Sequence, residues 1–160
     1  MLILDSCPLD GLSGHDAALN LLKRMYRQET GRSLPEILRT PRGKPYFPGS
    51  DLHFSISHTP VFAFCALSDR PVGIDAEEIT RRVDLRLAQK ILSPGELAIF
   101  NRARDQNETL LRFWVLKEAQ AKCSGQGLRG YPNHTDFRPD DPRIRVLSGC
   151  FVAVITEGVC

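Results

Sequence analysis

The segment FWVLKEAQAK, residues 113–122, constrains the fold more than any other part of the chain. Eight of the twelve residues in 110–121 are apolar, which predicts a largely buried helix. The same helix carries three charged residues, Lys117, Glu118 and Lys122. Burying a charged side chain is unfavourable unless it is paired or binds a metal. The helix must therefore pack against partners that satisfy these charges.

The segments around this helix predict an α+β fold. A helix is expected from the Ser13 cap to about Thr30, and Pro94 after Ser93 marks the start of another. The remaining predicted elements are strands at 52–58, 61–68 and 72–79, helices at 84–92, 93–104 and 107–124, and two strands within 144–157. The three closely spaced strands predict an antiparallel meander. Strands and helices in separate blocks are typical of the α+β class.

Composition narrows the functional classes. With 160 residues, the chain suits one domain or two small halves that share a core. A net charge of +2 is too small to indicate a nucleic-acid binder, and no stretch is long and apolar enough to cross a membrane. The first ten residues lack a basic lead and a long apolar run, so we expect a cytoplasmic protein. Five scattered cysteines without a C-x-x-C pattern predict reduced thiols: Cys7, Cys65, Cys123, Cys150 and Cys160.

The sequence GIDAE places two carboxylates on a predicted strand. Asp75 and Glu77 are two residues apart, so both side chains leave the same face. Carboxylates that share a face repel each other unless a cation lies between them, and few hard oxygen ligands suit Mg²⁺. On its own, however, the pair fits a solvated strand end better, with Glu78 as one more surface charge.

The charged helix also allows two interpretations. Glu118 and Lys122 are four residues apart, which is the spacing of a simple surface ion pair. They share their stripe with apolar residues such as Leu111 and Val115, and a carboxylate there must be paired, protonated or metal-bound. A position beside Asp75, as a third metal ligand, would satisfy Glu118.

Two further motifs are weak when taken alone. In SISHT, Ser57 and His58 are adjacent on a strand and point to opposite faces, which argues against a Ser–His catalytic dyad. In RTPRGKPYF, the residues Arg39, Arg42 and Lys44 cluster in a loop rich in Pro and Gly. Such a loop fits a phosphate-binding site, and it fits a solvated basic loop better.

The segment GQGLRG, residues 125–130, matches the glycine pattern of a dinucleotide-binding loop. That pattern requires a strand before it and a helix after it. Here a predicted helix precedes the glycines, so we interpret them as ending that helix rather than as a nucleotide site.

The order of the motifs is more specific than any one of them. GKPYF, FSISHT, VGIDAE, SPGE, FWVLKEAQAK and GQGL follow one another with regular gaps. Together they resemble the 4′-phosphopantetheinyl transferases, from about residue 43 to residue 128. The Ser-His motif precedes the Asp motif, as in the pseudodimeric type that activates surfactin-like peptide synthetases, here in shortened form. The resemblance implies two small similar halves, about 1–70 and 71–160, each an antiparallel sheet packed against a helix, with the site in the cleft between them.

The resemblance also implies a reaction and roles for individual residues. The phosphopantetheine arm of coenzyme A moves to a serine of an apo acyl or peptidyl carrier protein, and 3′,5′-ADP is released. Asp75, Glu77 and Glu118 would hold Mg²⁺, and Lys122 would lie near the pyrophosphate. Glu118 would take the serine proton, directly or through a metal-bound water. At the coenzyme A site the resemblance and the neighbouring residues predict Arg42, Lys44, Ser57, His58 and Lys117. Glu96 matches an acidic position near the metal.

Two other functions remain open at this stage. One is a non-catalytic module that binds coenzyme A or a carrier protein, a family member shortened past activity. The other is an Mg²⁺-dependent hydrolase of nucleotide pyrophosphates, which needs no carrier. Because both parts of the proposed site lie in one chain, we expect a monomer.

Overall fold

A computed structural model describes residues 1–126 and 136–157. The glycine motif beyond Gln126, with Gly127 and Gly130, and Cys160 lie outside these residues. The elements in chain order are β1 (Leu2–Pro8), α1 (Gly14–Thr30), β2 (Leu38–Arg39), β3 (Pro45–Tyr46), β4 (His53–His58), β5 (Phe62–Ser68), β6 (Val72–Glu78), a 3₁₀ turn (Leu85–Leu87), α2 (Ala88–Ile91), α3 (Pro94–Arg102), α4 (Gln106–Ser124), β7 (Ile144–Leu147) and β8 (Cys150–Thr156). The α+β class is confirmed.

Helix α1 forms where its caps and apolar period predict it. The Ser13 side chain accepts a hydrogen bond from the backbone N–H of Asp16, and Gly31 ends the helix in the left-handed conformation. Its inner face buries Leu21, Leu22 and Met25 among others. This face packs on the first sheet.

The first sheet has the order β1-β5-β4, and all its strands are antiparallel. Alternate residues of β5 divide between its two faces, with Cys65 and Leu67 toward α1 and Phe64 and Ala66 away from it. The predicted meander is wrong in its third strand, because β1 and β4 already occupy both edges of β5. The N-terminal strand β1 was not predicted.

Strand β6 belongs instead to a second antiparallel sheet of order β6-β8-β7. The long helix α4 packs on one face of this sheet, where it contacts Phe151, Ala153 and Ile155. The other face, with Ile74 and Val152, packs against the outward face of the first sheet. The predicted strands on either side of Ser148 and Gly149 are confirmed as β7 and β8.

Strands β4 and β6 belong to different sheets, and serine side chains of β4 connect the two strands. Ser55 Oγ accepts a hydrogen bond of 3.1 Å from the backbone N–H of Ile74. This bond satisfies a buried backbone group at the edge of the second sheet. The same strand face carries Ser57, so β4 brings two hydroxyl groups to the boundary between the sheets.

Two general expectations can be compared with the described residues. No helix in the described part of the chain is long and apolar enough to cross a membrane. The cysteines of residues 1–126 and 136–157 are all free: Cys7, Cys65, Cys123 and Cys150.

Candidate functional site

The two carboxylates of β6 lie on one strand face, as their spacing predicts. Val72, Ile74 and Ala76 point toward the first sheet, and the alternate residues Asp75 and Glu77 point to the side of α4. Asp75 is only 6% exposed. Glu77 forms an ion pair with Arg81, and both side chains line a neighbouring pocket.

Helix α4 brings Glu118 and Lys122 to the same side of β6. Lys122 Nζ lies 2.8 Å from Asp75 Oδ1, across the boundary between helix and sheet. The simple pair between Glu118 and Lys122 that the four-residue spacing allowed is not formed among the described residues. Lys122 of α4 instead forms an ion pair with Asp75 of β6.

Only one of the two carboxylate oxygens of Asp75 accepts hydrogen bonds from the described residues. Oδ1 accepts hydrogen bonds from Lys122 Nζ and from Ser57 Oγ, the latter at 3.1 Å. Oδ2 is buried and has no hydrogen-bond partner within the described residues. Burial raises the pKa of Asp75, and Lys122 and Ser57 oppose that rise. A buried carboxylate oxygen without a donor is the kind of group that a bound cation satisfies.

Glu118 is half-buried, and its charge is disfavoured by its surroundings. Burial raises the pKa of Glu118 to about 7, and the negative charge of Asp75 adds to the rise. Lys122 opposes it, and Glu77 raises it further. These carboxyl groups therefore lie close enough to repel one another in the absence of a cation.

This repulsion predicts a pH-dependent stability in the absence of divalent cations. The pKa of Glu118 in the folded chain, about 7, is above its ordinary value of 4.5. Its contribution to stability is therefore fully present below pH 4.5 and is lost as the pH rises through 7. We expect the free energy of unfolding to fall across this range by on the order of 1–2 kcal/mol more in the wild type than in Glu118→Gln.

Urea unfolding in EDTA, at steps from pH 5 to pH 8.5, measures this difference. Glu29→Gln is a suitable control because Glu29 is exposed on α1, far along the chain from the site. An equal pH dependence in the wild type and in Glu118→Gln would contradict the assigned environment of Glu118.

Strand β4 presents Ser57 and His58 to opposite sides, as predicted for adjacent strand residues. Ser57 faces β6 and bonds to Asp75, whereas His58 lies against Gly14 at the start of α1. A Cβ atom at position 14 would lie 2.4 Å from the imidazole Cγ, so a glycine is needed there to accommodate the ring. His58 borders the same cavity as Asp75.

That cavity has a volume of about 650 Å³ and is lined by both acidic and basic side chains. Its acidic end comprises Asp75 and Glu118, next to Lys122. Its basic wall comprises side chains from the start of α1, the β2–β3 segment and the end of β4: His15, Arg39, Arg42, Lys44 and His58. The predicted coenzyme A residues Arg42, Lys44, Ser57 and His58 are thus brought together with the predicted metal ligands Asp75 and Glu118.

Lys44 crosses from the β2–β3 segment to the end of α4. Its ammonium group donates a hydrogen bond to the backbone carbonyl of Cys123, and its chain packs over Gly125. Burial lowers the pKa of Lys44. Gly125 ends α4 in the left-handed conformation, which confirms the predicted helix end.

Lys117 and Glu96 lie elsewhere than the sequence analysis placed them. Neither lines the cavity. Lys117 is buried and lies 2.8 Å from Glu96 Oε2, and Glu96 is fully buried. Glu96 also accepts hydrogen bonds from the backbone N–H groups of Ser93 and Phe137. This pair joins the start of α3, the middle of α4 and the segment at Phe137, so its role in the structure is to hold these elements together.

Removing one member of this pair should destabilise the fold strongly. Lys117→Met leaves the Glu96 carboxylate buried without its cation, and we expect a loss of about 3 kcal/mol in the free energy of unfolding. Urea denaturation measures it, with Lys90→Met as the control because Lys90 is exposed on α2. Adding Glu96→Gln to Lys117→Met should recover part of the loss. A loss below 1 kcal/mol in Lys117→Met would contradict the pair's structural role.

The residues present fit a divalent cation with few protein ligands. The buried, unpartnered Oδ2 of Asp75 and the half-buried Glu118 converge on one end of the cavity. Glu77 is near enough to raise the pKa of Glu118, although its carboxylate is paired with Arg81. No group of three or more His, Cys, Asp or Glu side chains in residues 1–126 and 136–157 is arranged closely enough to hold a metal as it stands. Binding of one cation by all three carboxylates therefore requires these side chains to move closer together, and Glu77 would have to leave Arg81.

The role of Ser55 was not predicted from the sequence. It lies two residues before Ser57, and the period of a strand places both on the same face. That spacing was a usable signal once SISH was assigned to a strand. Of the other residues of the basic wall, Arg39 belongs to the basic cluster already identified in RTPRGKPYF, and His15 lies in no motif.

The family model described as the 4′-phosphopantetheinyl transferase superfamily matches residues 71–152, which contain Asp75, Glu77, Glu118 and Lys122. This match covers just over half of the chain. The chain belongs to this superfamily.

Superfamily members with curated names are similar to about half of this chain or more. The 4′-phosphopantetheinyl transferase gsp of Aneurinibacillus migulanus is 37% identical over 89 residues, 54% of this chain and 36% of the relative. The 4′-phosphopantetheinyl transferase Sfp of Bacillus subtilis (strain 168) is 35% identical over 89 residues, 54% of this chain and 39% of the relative. A putative 4′-phosphopantetheinyl transferase of Haemophilus influenzae is 32% identical over 116 residues, 69% of this chain and 49% of the relative. The alignments thus span between about a third and a half of the length of these superfamily members.

Proposed function

We propose that the chain transfers the 4′-phosphopantetheine arm of coenzyme A to a serine of an apo acyl or peptidyl carrier protein, in a reaction that depends on Mg²⁺. One observation carries this proposal. A buried strand carboxylate, Asp75, and a half-buried helix carboxylate, Glu118, line a cavity with Lys122 and with the side chains of the basic wall. Such a cavity suits a substrate that carries a pyrophosphate and a further phosphate. Coenzyme A has this charge pattern.

Asp75 and Glu118, with Glu77 once it leaves Arg81, would hold the Mg²⁺. Bound there, Mg²⁺ would neutralise charge on the pyrophosphate and on the departing 3′,5′-ADP. The residues of the protein would then position the reacting groups and accept one proton. Positioning and stabilisation of charge account for most of the catalysis of phosphoryl transfer.

The reaction forms one bond and breaks one. The serine Oγ of the carrier attacks the phosphorus that bears pantetheine, and the bond from that phosphorus to the bridging oxygen of 3′,5′-ADP breaks. Glu118 accepts the proton of the serine hydroxyl, as the general base of this step. Lys122, already oriented by Asp75, offsets the negative charge that develops on the phosphate oxygens.

The basic wall would receive the nucleotide end of coenzyme A. Lys44 and His58 are the proposed partners of the 3′-phosphate, with Arg42 beside them. Arg39 and His15 line the same wall, and Arg39 adds a positive charge to it. Lys44 donates one hydrogen bond to the carbonyl of Cys123, and its ammonium group has two further hydrogens to donate to the ligand.

The arrangement of the chain supports a site between two halves of one monomer. Each three-stranded antiparallel sheet carries one long helix, α1 on the first and α4 on the second. We propose that residues 1–70 and 71–160 are the two similar halves of a pseudodimer and that the cavity is the cleft between them.

The free cysteines of the described residues suit a reducing compartment such as the cytoplasm.

Mass spectrometry of an apo carrier protein, incubated with this protein, coenzyme A and Mg²⁺, tests the proposal. We expect the carrier to gain the mass of one phosphopantetheine, and we expect no gain in EDTA. Several carriers, from fatty acid, polyketide and peptide synthesis, should be tried in parallel. Release of 3′,5′-ADP without any carrier would indicate a pyrophosphate hydrolase instead.

A non-catalytic binding module is the second candidate, because the chain aligns with at most about half the length of its relatives. In that case coenzyme A binds, as calorimetry would show, and no carrier gains mass. The presence of Asp75, Glu77, Glu118 and Lys122 together favours the enzyme.

A further inference from the structure

Two buried serines of β4 link the first sheet to β6, and they do so differently. Ser55 Oγ accepts a hydrogen bond from the backbone N–H of Ile74. Ser57 Oγ donates one to the side chain of Asp75. Ser55 and Ser57 are 6% and 7% exposed, so the two side chains are almost equally buried. Only Ser57 contacts a residue with a proposed chemical role.

The hydroxyl of Ser57 is already committed to Asp75. A serine hydroxyl has a single hydrogen to donate, and a phosphate group accepts hydrogen bonds rather than donating them. While Ser57 donates to Asp75 Oδ1, it has no hydrogen left for a phosphate of coenzyme A. This contact therefore argues against the coenzyme A role that the sequence analysis gave Ser57.

The same contact fixes how the Asp75 carboxylate is turned. Ser57 and Lys122 both bond to Oδ1, from the strand on one side and the helix on the other. With Oδ1 held at two points, Oδ2 is the oxygen that stays buried and unpartnered. Lys122 alone, on a flexible stem of four carbons, constrains the carboxylate less than the short side chain of Ser57 does.

We propose that Ser57 is a positioning residue that holds Asp75 with Oδ2 presented to the divalent cation. This inference rests on the cation site of the proposed function, and it assigns Ser57 to the acidic end of the cavity. Partners that orient a metal ligand typically change the metal affinity by 10- to 100-fold when they are removed. Ser57 acts through Asp75 and has no direct contact with the cation in this proposal.

Electron paramagnetic resonance of free Mn²⁺, titrated with the full chain, gives a readout that is independent of carrier modification. We expect Ser57→Ala to weaken Mn²⁺ binding by about tenfold. Ser57→Thr retains the hydroxyl and should bind Mn²⁺ within about threefold of the wild type. Ser55→Ala is the matched control: it also removes a buried hydroxyl that joins the sheets, and its Mn²⁺ affinity should stay within about twofold. Thermal unfolding of each variant shows whether it is folded at the temperature of the titration.

The outcomes separate this inference from the proposed function. If Asp75→Asn loses Mn²⁺ binding while Ser57→Ala retains it, the cation site stands and the positioning role of Ser57 is overturned. Equal losses in Ser55→Ala and Ser57→Ala would also overturn it, because the effect would then follow from loosening the sheets. If the wild type binds Mn²⁺ no better than Asp75→Asn, both the cation site and this inference fall. A loss of coenzyme A affinity in Ser57→Ala at unchanged Mn²⁺ affinity would return Ser57 to the coenzyme A site.

Discussion

Replacing Glu118 with glutamine should lower the rate of carrier modification by about a thousandfold. Glutamine has nearly the same shape, so the packing of α4 is preserved. It cannot accept the serine proton, and it is a weaker ligand for Mg²⁺. The rate is measured in single turnover, by mass spectrometry of the carrier at saturating coenzyme A and Mg²⁺. Under these conditions a lower affinity for either component is not mistaken for a slower chemical step.

The control for this prediction lies on the same helix. Glu108 is in the first turn of α4, where it pairs with Arg112 at the surface. Glu108→Gln makes the same chemical change away from the cavity and should leave the rate within about twofold. A rate for Glu118→Gln within tenfold of the wild type would contradict the role of Glu118 as proton acceptor, whether or not the metal site is intact.

The parts of the fold that could be predicted are those with local causes. Helix α1 follows from the Ser13 cap, its apolar period and the terminal Gly31, all within 20 residues of one another. The shared face of Asp75 and Glu77 follows from the two-residue period of a strand. Neither inference requires knowledge of which elements pack together, and both are confirmed.

The pairing of β6 depends on contacts that the local pattern does not contain. Its partner β8 begins at Cys150, more than 70 residues after the end of β6. The meander hypothesis placed β6 beside β5 because the two are close in sequence. Strand β1, which was not predicted, occupies that edge of β5. Its apolar pattern is short, so the local sequence did not show that a strand would take this position.

The site shows the same division between local and distant causes. Lys117 and Glu118 were both assigned to it, yet adjacent residues of a helix point about 100° apart. Once Glu118 lines the cavity, Lys117 must face elsewhere, and the structure pairs it with Glu96. This correction was available from helix geometry. The pairing of Lys122 with Asp75 was not, because it requires the position of α4 on the sheet.

A single glycine determines how closely α4 approaches β6. Gly73 lies two residues before Asp75 on the strand face covered by α4. A Cβ atom at position 73 would lie 1.9 Å from the backbone oxygen of Ala119 and 2.4 Å from the backbone nitrogen of Cys123. Both contacts are with helix backbone, which cannot move aside as a flexible side chain can. The glycine of the GIDAE motif is therefore explained by packing rather than by contact with a ligand.

Gly73→Ala should accordingly disrupt the fold and the site together. We expect it to lower the free energy of unfolding by at least about 4 kcal/mol, because α4 must move outward or tilt to admit the methyl group. Residues 119–123 include Lys122, so this displacement also separates Lys122 from Asp75, which are 2.8 Å apart in the wild type. Urea denaturation followed by circular dichroism measures the loss, and carrier modification by any folded fraction measures the effect on the site.

Gly95→Ala is the matched control for this substitution. Gly95 lies in the first turn of α3, and a Cβ atom there would lie 3.1 Å from a carboxylate oxygen of Asp136. The end of that side chain can shift, and alanine favours the helix more than glycine does, so we expect a change within about 1 kcal/mol. If Gly73→Ala were equally mild, α4 would have to lie farther from β6 than the structure places it. The close approach that joins Lys122 to Asp75, and with it the proposed geometry of the acidic end, would then be incorrect.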